Sequence, residues 1–99
     1  MVTMEDSILH LTPTEELTIY QVEEITKQVT LLFANAKELV INMTQTDKID
    51  TAGFQLLISL KKSCETTQKR FELVGISDSV QNFMTLFGYE WDFEQKGDR

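Results

Sequence analysis

The chain has 99 residues, enough for one compact domain and too few for two. A formal net charge of −7 argues against nucleic acid, which needs clustered Lys and Arg, and against docking on anionic lipid through a basic face. Cys64 is the single cysteine, so no intramolecular disulfide can form; residues 1–6 are too polar and acidic for a signal peptide and no apolar run is long enough to span a membrane, so a reducing, cytoplasmic setting is expected.

Residues 7–11 (SILHL) alternate apolar and polar, which predicts a first strand, and Pro13 ends it because proline lacks the amide a ladder needs. Residues 17–20 (LTIY) are β-rich and short, either a second strand or the lead-in to a helix. From 21 to 36 the period changes: Val22, Ile25, Val29, Leu32 and Phe33 recur at helical spacing, with Glu23, Glu24 and Lys27 opposite. Residues 38–43 (ELVINM) are apolar at nearly every step, the pattern of a parallel strand covered on both faces. Residues 44–50 (TQTDKID) read as a polar loop.

A second helix is predicted over 51–64, with Leu57, Leu60 and Cys64 on one stripe and Phe54 and Ile58 extending it sideways. Residues 70–75 (RFELVG) form another strand and 77–87 a third helix, whose apolar face is Val80, Phe83, Met84 and Phe87. Gly88 is its expected left-handed stop, residues 89–93 (YEWDF) pack back on the domain, and 94–99 form a frayed tail, so the folded core is expected over about residues 7–93. Strands alternating with helices indicate an α/β sandwich joined by right-handed crossovers.

The strand Leu39-Val40-Ile41-Asn42-Met43, a polar loop, and then Ile49-Asp50-Thr51-Ala52-Gly53-Phe54-Gln55-Leu56-Leu57 resemble the signature of the STAS family, the sulfate-transporter and anti-sigma-factor-antagonist domain. Glu16-Leu17-Thr18-Ile19 resembles the family's short second strand, Phe71-Glu72-Leu73-Val74-Gly75 the strand after the signature helix, and residues 77–88 its last helix. The resemblance implies a mixed, mostly parallel sheet of four to five strands with helices packed mainly on one face. It also implies a bacterial protein-interaction module. Single-domain members of the family act as partner switches, in which a kinase-like anti-sigma factor phosphorylates a Ser or Thr at the start of the signature helix. Related cytosolic members sit on a lipid-transporting ABC ATPase, and others accompany chemotaxis proteins. The usual acceptor position, directly before the glycine, is here Ala52, which leaves Thr51 as the candidate acceptor. Asp-Thr-Ala-Gly resembles the transporter- and chemotaxis-associated members more than the sporulation-type antagonists.

The candidate partner-binding residues are Asp50, Thr51, Ala52, Gly53, Phe54 and Ile58. Asp50 or Thr51 is expected to cap the helix, and Gly53 to allow close approach of the loop. A phosphate on Thr51 would be tolerated by the helix dipole while adding roughly −1.5 to −2 charges against a partner. Phe54 and Ile58 are core residues or, if exposed, apolar anchors beside Thr51. His10 is the only histidine, and the glycines at 53, 75, 88 and 97 are too scattered for a phosphate loop, so no catalytic constellation, metal site or cofactor is expected. Two functions follow: an adaptor of the anti-sigma factor antagonist type that binds a regulatory kinase or chemotaxis regulator, or a constitutive accessory subunit of a lipid-transporting ABC ATPase. A small enzyme or nucleotide-binding protein is the reading from another class.

Overall fold

The structure, a computed structural model, describes residues 1–86. The expectations for Phe87, Gly88, residues 89–93 and the tail lie outside the described residues. The elements in chain order are β1 (Val2–Glu5), β2 (Ile8–Leu11), β3 (Glu15–Leu17), α1 (Ile19–Phe33), β4 (Glu38–Asn42), β5 (Thr46–Ile49), α2 (Thr51–Thr66), β6 (Arg70–Val74) and α3 (Asp78–Leu86). They make a mixed four-stranded sheet in the order β1-β2-β4-β6 and a small parallel pair, β3-β5. β1 and β2 are antiparallel; β2, β4 and β6 run parallel.

Two strands had no counterpart in the sequence expectations. β1 begins at Val2, so the ordered architecture starts upstream of residue 7. Asp6 (φ 55°) and Ser7 (φ 68°) form the two-residue turn to β2, with both residues in the left-handed region that a twist-matched hairpin requires. β5 falls inside the expected polar loop. Its ends, Thr46 and Ile49, are buried while Asp47 and Lys48 are exposed, so a strand with one hydroxyl and one alkyl group in the core reads as a loop. The Thr46 hydroxyl donates to the Pro13 carbonyl at 2.8 Å, which satisfies it in the interior. The segment 17–20 divides: Leu17 closes β3, Thr18 caps α1, and the helix starts at Ile19.

β4 corrects the expectation of a strand covered on both faces. Its burial alternates: Leu39 and Ile41 are fully buried, whereas Val40 and Asn42 are half-buried. The register aligns Leu9 and Leu11 of β2 with Leu39 and Ile41, and these with Phe71 and Leu73 of β6, so one face carries the core. On the other face Val40 lies between His10 and Glu72. A central strand flanked on both sides is shielded by its neighbours' side chains, so an apolar residue persists there without a helix above it. α1 and α2 pack together over the covered face, and α3 packs by β5. Ile25 and Val29 of α1, Leu57, Leu60 and Cys64 of α2, and Val80 and Met84 of α3 join the same core.

Candidate functional site

The site is built around the turn from β5 into α2. Asp50 is the N-cap: its backbone is extended (φ −121°, ψ −175°), and Oδ1 accepts the Gly53 backbone N–H at 2.9 Å. Oδ2 accepts a second amide, that of Ile19 at 2.9 Å, which is the first residue of α1. One carboxylate therefore closes the first turns of two helices, reaching from Asp50 to an amide 31 residues earlier in the chain. Partial burial raises the Asp50 carboxyl, but the amides of Gly53, Ile19, Ala52 and Asp50 itself outweigh it and hold its pKa below the ordinary value.

Gly53 is fixed by the same crossing. A Cβ there would overlap the Leu17 carbonyl oxygen at the end of β3 and come within 3.0 Å of Ile49 Cγ1. The Asp and Gly of the motif thus hold α2 against β3 and α1. Because Asp50 caps, the Thr51 hydroxyl is not used as the cap; Thr51 is exposed at the first helical position. Ala52 is half-buried.

Of the two expectations for Phe54, core residue or exposed anchor, the structure has the core one: it is 7 % exposed, and its ring meets Phe83 of α3 edge-on at 6.2 Å and 75°. α2 has neighbours on several sides, so its buried face widens to take in Gly53, Phe54 and Leu56 as well as the expected stripe. Ile58 is half-buried, packs against the core and lines the groove between α1 and α2. The six candidates therefore divide: Thr51 lies on the surface, Ala52 and Asp50 at its margin, Gly53 and Phe54 inside, and Ile58 on a different face of the helix.

The start of α1 supplies two residues that sequence reasoning missed. Ile19 is 63 % and Tyr20 85 % exposed, and Ile19 is tied directly to Asp50. The turn beneath them is firm: the Gln21 side-chain oxygen accepts from the Thr18 backbone N–H at 2.9 Å and from its hydroxyl at 2.8 Å. The signal was present in Thr18 and Gln21 at capping-box spacing. That spacing places Ile19 and Tyr20 in a first turn ahead of Ile25 and Val29, the buried residues of the helix.

Burial pushes the Cys64 thiol up to about 11 against the pull of Lys69, with Glu65 adding to the rise, so it stays protonated and unreactive. Among the described residues no group of His, Cys, Asp and Glu could hold a metal ion. None of their helices is long and apolar enough to cross a membrane.

The family model of the STAS domain matches residues 1–95. No curated protein matches the chain. Among solved structures, TM1081 from Thermotoga maritima superposes with a TM-score of 0.79 at 18% identity, over 99% of this chain and 92% of that one. The anti-sigma factor antagonist SpoIIAA in its unphosphorylated form gives 0.73 at 18% identity, over 100% and 94%. The phosphorylated form of SpoIIAA, a Bacillus cell fate determinant, gives 0.74 at 17% identity, over 100% and 96%.

Proposed function

Because this chain belongs to the STAS domain family, we propose that it is a protein-binding regulatory module of the anti-sigma factor antagonist type, docking a kinase-like or other signalling partner through the joined starts of α1 and α2. The observation that carries this reading is the Asp50 bridge, which sets the exposed Thr51 beside the exposed Ile19 and Tyr20 on a surface with a rigid floor. Tyrosine is among the residues that most often anchor a protein interface, and a hydroxyl at a helix start is well placed to modulate one. SpoIIAA, a structural neighbour, exists in phosphorylated and unphosphorylated forms, which supports reading Thr51 as a modification site. A phosphate there adds negative charge where the helix dipole tolerates it and a partner's carboxylate or apolar contact does not. It would release the partner without unfolding the domain.

The test is affinity capture from the native cells with the wild-type chain, Thr51→Glu and Tyr20→Ala, followed by intact-mass measurement of the unaltered protein. The expected result is a partner retained by the wild type and lost by both variants, all three giving the same circular-dichroism spectrum. Retention of the partner by both variants would remove this surface from the interface. A partner that is lost by Tyr20→Ala, with an unmodified mass at Thr51 across growth conditions, would make the module constitutive, as an accessory subunit of a transporter ATPase would be.

A further inference from the structure

On the outer side of the helical layer, away from the Asp50 turn, α1 and α2 leave a groove between them. Two cavities of about 550 and 500 Å³ lie along it, and Phe33, Ser59, Ser63 and Thr67 line both, so they form one continuous slot. Each volume is within the range of small-molecule sites. The floor is apolar: Val29, Leu56 and Leu60 are buried, and Phe33 and Ile58 half-buried. The rim is hydroxyl-rich, and the charges among its described residues are all of one sign. Among the described residues, Lys62 lines one cavity and Lys69 the other, and no carboxylate lines either.

The two cations are differently disposed. Lys69 Nζ donates to the Ala36 carbonyl at 2.6 Å and stands 4.9 Å from the Phe33 ring centroid, which uses one of its three donors and fixes it at the slot. Lys62 is exposed and takes part in no ion pair among the described residues; the nearby Glu65 is bound to Lys61 instead. Among the described residues the large exposed apolar ones (Met1, Ile19, Tyr20, Leu31 and Leu86) lie elsewhere, so this part of the molecule gives the slot no protruding anchors that a docked helix would meet.

We propose that the groove between α1 and α2 binds an amphipathic anion, an alkyl chain ending in a single carboxylate or phosphate. The chain lies on Val29, Leu56, Leu60 and Phe33, and the head group meets Lys62 or Lys69. The site is independent of the partner surface, since none of its lining residues belongs to the first turn of either helix.

The test titrates the full-length protein with dodecanoate, dodecyl phosphate and dodecyltrimethylammonium, each below its micelle concentration, by ¹⁵N–¹H NMR. The expected result is saturable shifts confined to residues 26–34 and 55–69 for at least one anion, and binding of the cation at least about tenfold weaker, as opposite charge at an ammonium rim demands. The tighter of the two anions identifies the head group. Lys62→Glu should weaken that anion by about tenfold and Ser59→Trp, which fills the slot, should abolish its binding while both variants keep the wild-type melting temperature. Equal binding of cation and anions, shifts scattered over the whole domain, or undiminished binding by Ser59→Trp would overturn the proposal.

Discussion

The starts of α1 and α2 share one carboxylate yet are built to opposite ends. At α2 the first turn is turned inward: Gly53 touches the β3 backbone and Phe54 fills the space beneath α3, leaving Thr51 outside. At α1 the first turn is turned outward: Thr18 is buried and bonded to Gln21, and the two residues after it are apolar and exposed. A motif that stands out in a sequence is therefore not the surface it helps to make. The Asp-Thr-Ala-Gly segment is mostly joinery, and the surface it produces is completed by residues about thirty positions earlier.

Substitutions can break this contrast. The largest effect is expected at the inward turn: Phe54→Ala should cost about 3–5 kcal/mol in urea denaturation, the usual range for a buried aromatic. Gly53→Ala should also destabilise strongly, because the added methyl meets backbone and cannot be relieved by a rotamer change. Asp50→Ala removes the cap of one helix and an amide partner of the other, so a loss of roughly 2–3 kcal/mol is expected, above that of an ordinary cap. If Asp50→Ala cost no more than a single cap, the bridge to Ile19 would contribute nothing in solution.

The same carboxylate sets a pH dependence. Its pKa is lowered in the folded state, so its contribution is fully present above the unfolded value of about 3.9 and is lost as pH falls through the folded value. Asp50→Asn should flatten that part of the acid-unfolding curve relative to wild type. The smallest stability effects belong to the outward turn. Tyr20→Ala and Thr51→Glu should each change stability by no more than about 0.5 kcal/mol, as for ordinary surface positions. Partner affinity should nonetheless fall about thirtyfold or more for Tyr20→Ala, equivalent to about 2 kcal/mol. A stability loss at Tyr20 comparable to that at Phe54 would erase the contrast between the two turns.

What was legible in the sequence follows from what leaves a periodic trace. α1, α2, β4 and β6 have apolar spacings strong enough to place them, and a cap at Asp50 or Thr51 and the glycine approach follow from the residue types, while the choice of Asp50 comes from the geometry. β5 left no such trace because its inward group at one end is a threonine, satisfied by a carbonyl from a segment 33 residues away. Phe54 was ambiguous because a helix with neighbours on several sides buries more than one stripe, and the residue that covers it, Phe83, comes from a helix later in the chain. Ile19 and Tyr20 were hidden by their β-rich composition, which drew attention from the capping pair Thr18 and Gln21 around them.

The strand pairings have a kinetic consequence. Among the described residues only the β1–β2 hairpin, turned by Asp6 and Ser7, joins strands that are neighbours in sequence. The other pairings match Leu9 with Leu39, Leu17 with Ile49 and Leu39 with Phe71, and each must wait for a helix-bearing segment to close as a loop. Chains of this kind fold more slowly than helical bundles of the same length, since loop entropy is lost before the contacts that offset it are made. The hairpin can form in microseconds. The Asp50 bridge joins residues 31 positions apart, so it waits for the segment carrying α1, β4 and β5 to close, and the surface it supports exists only once that segment has folded.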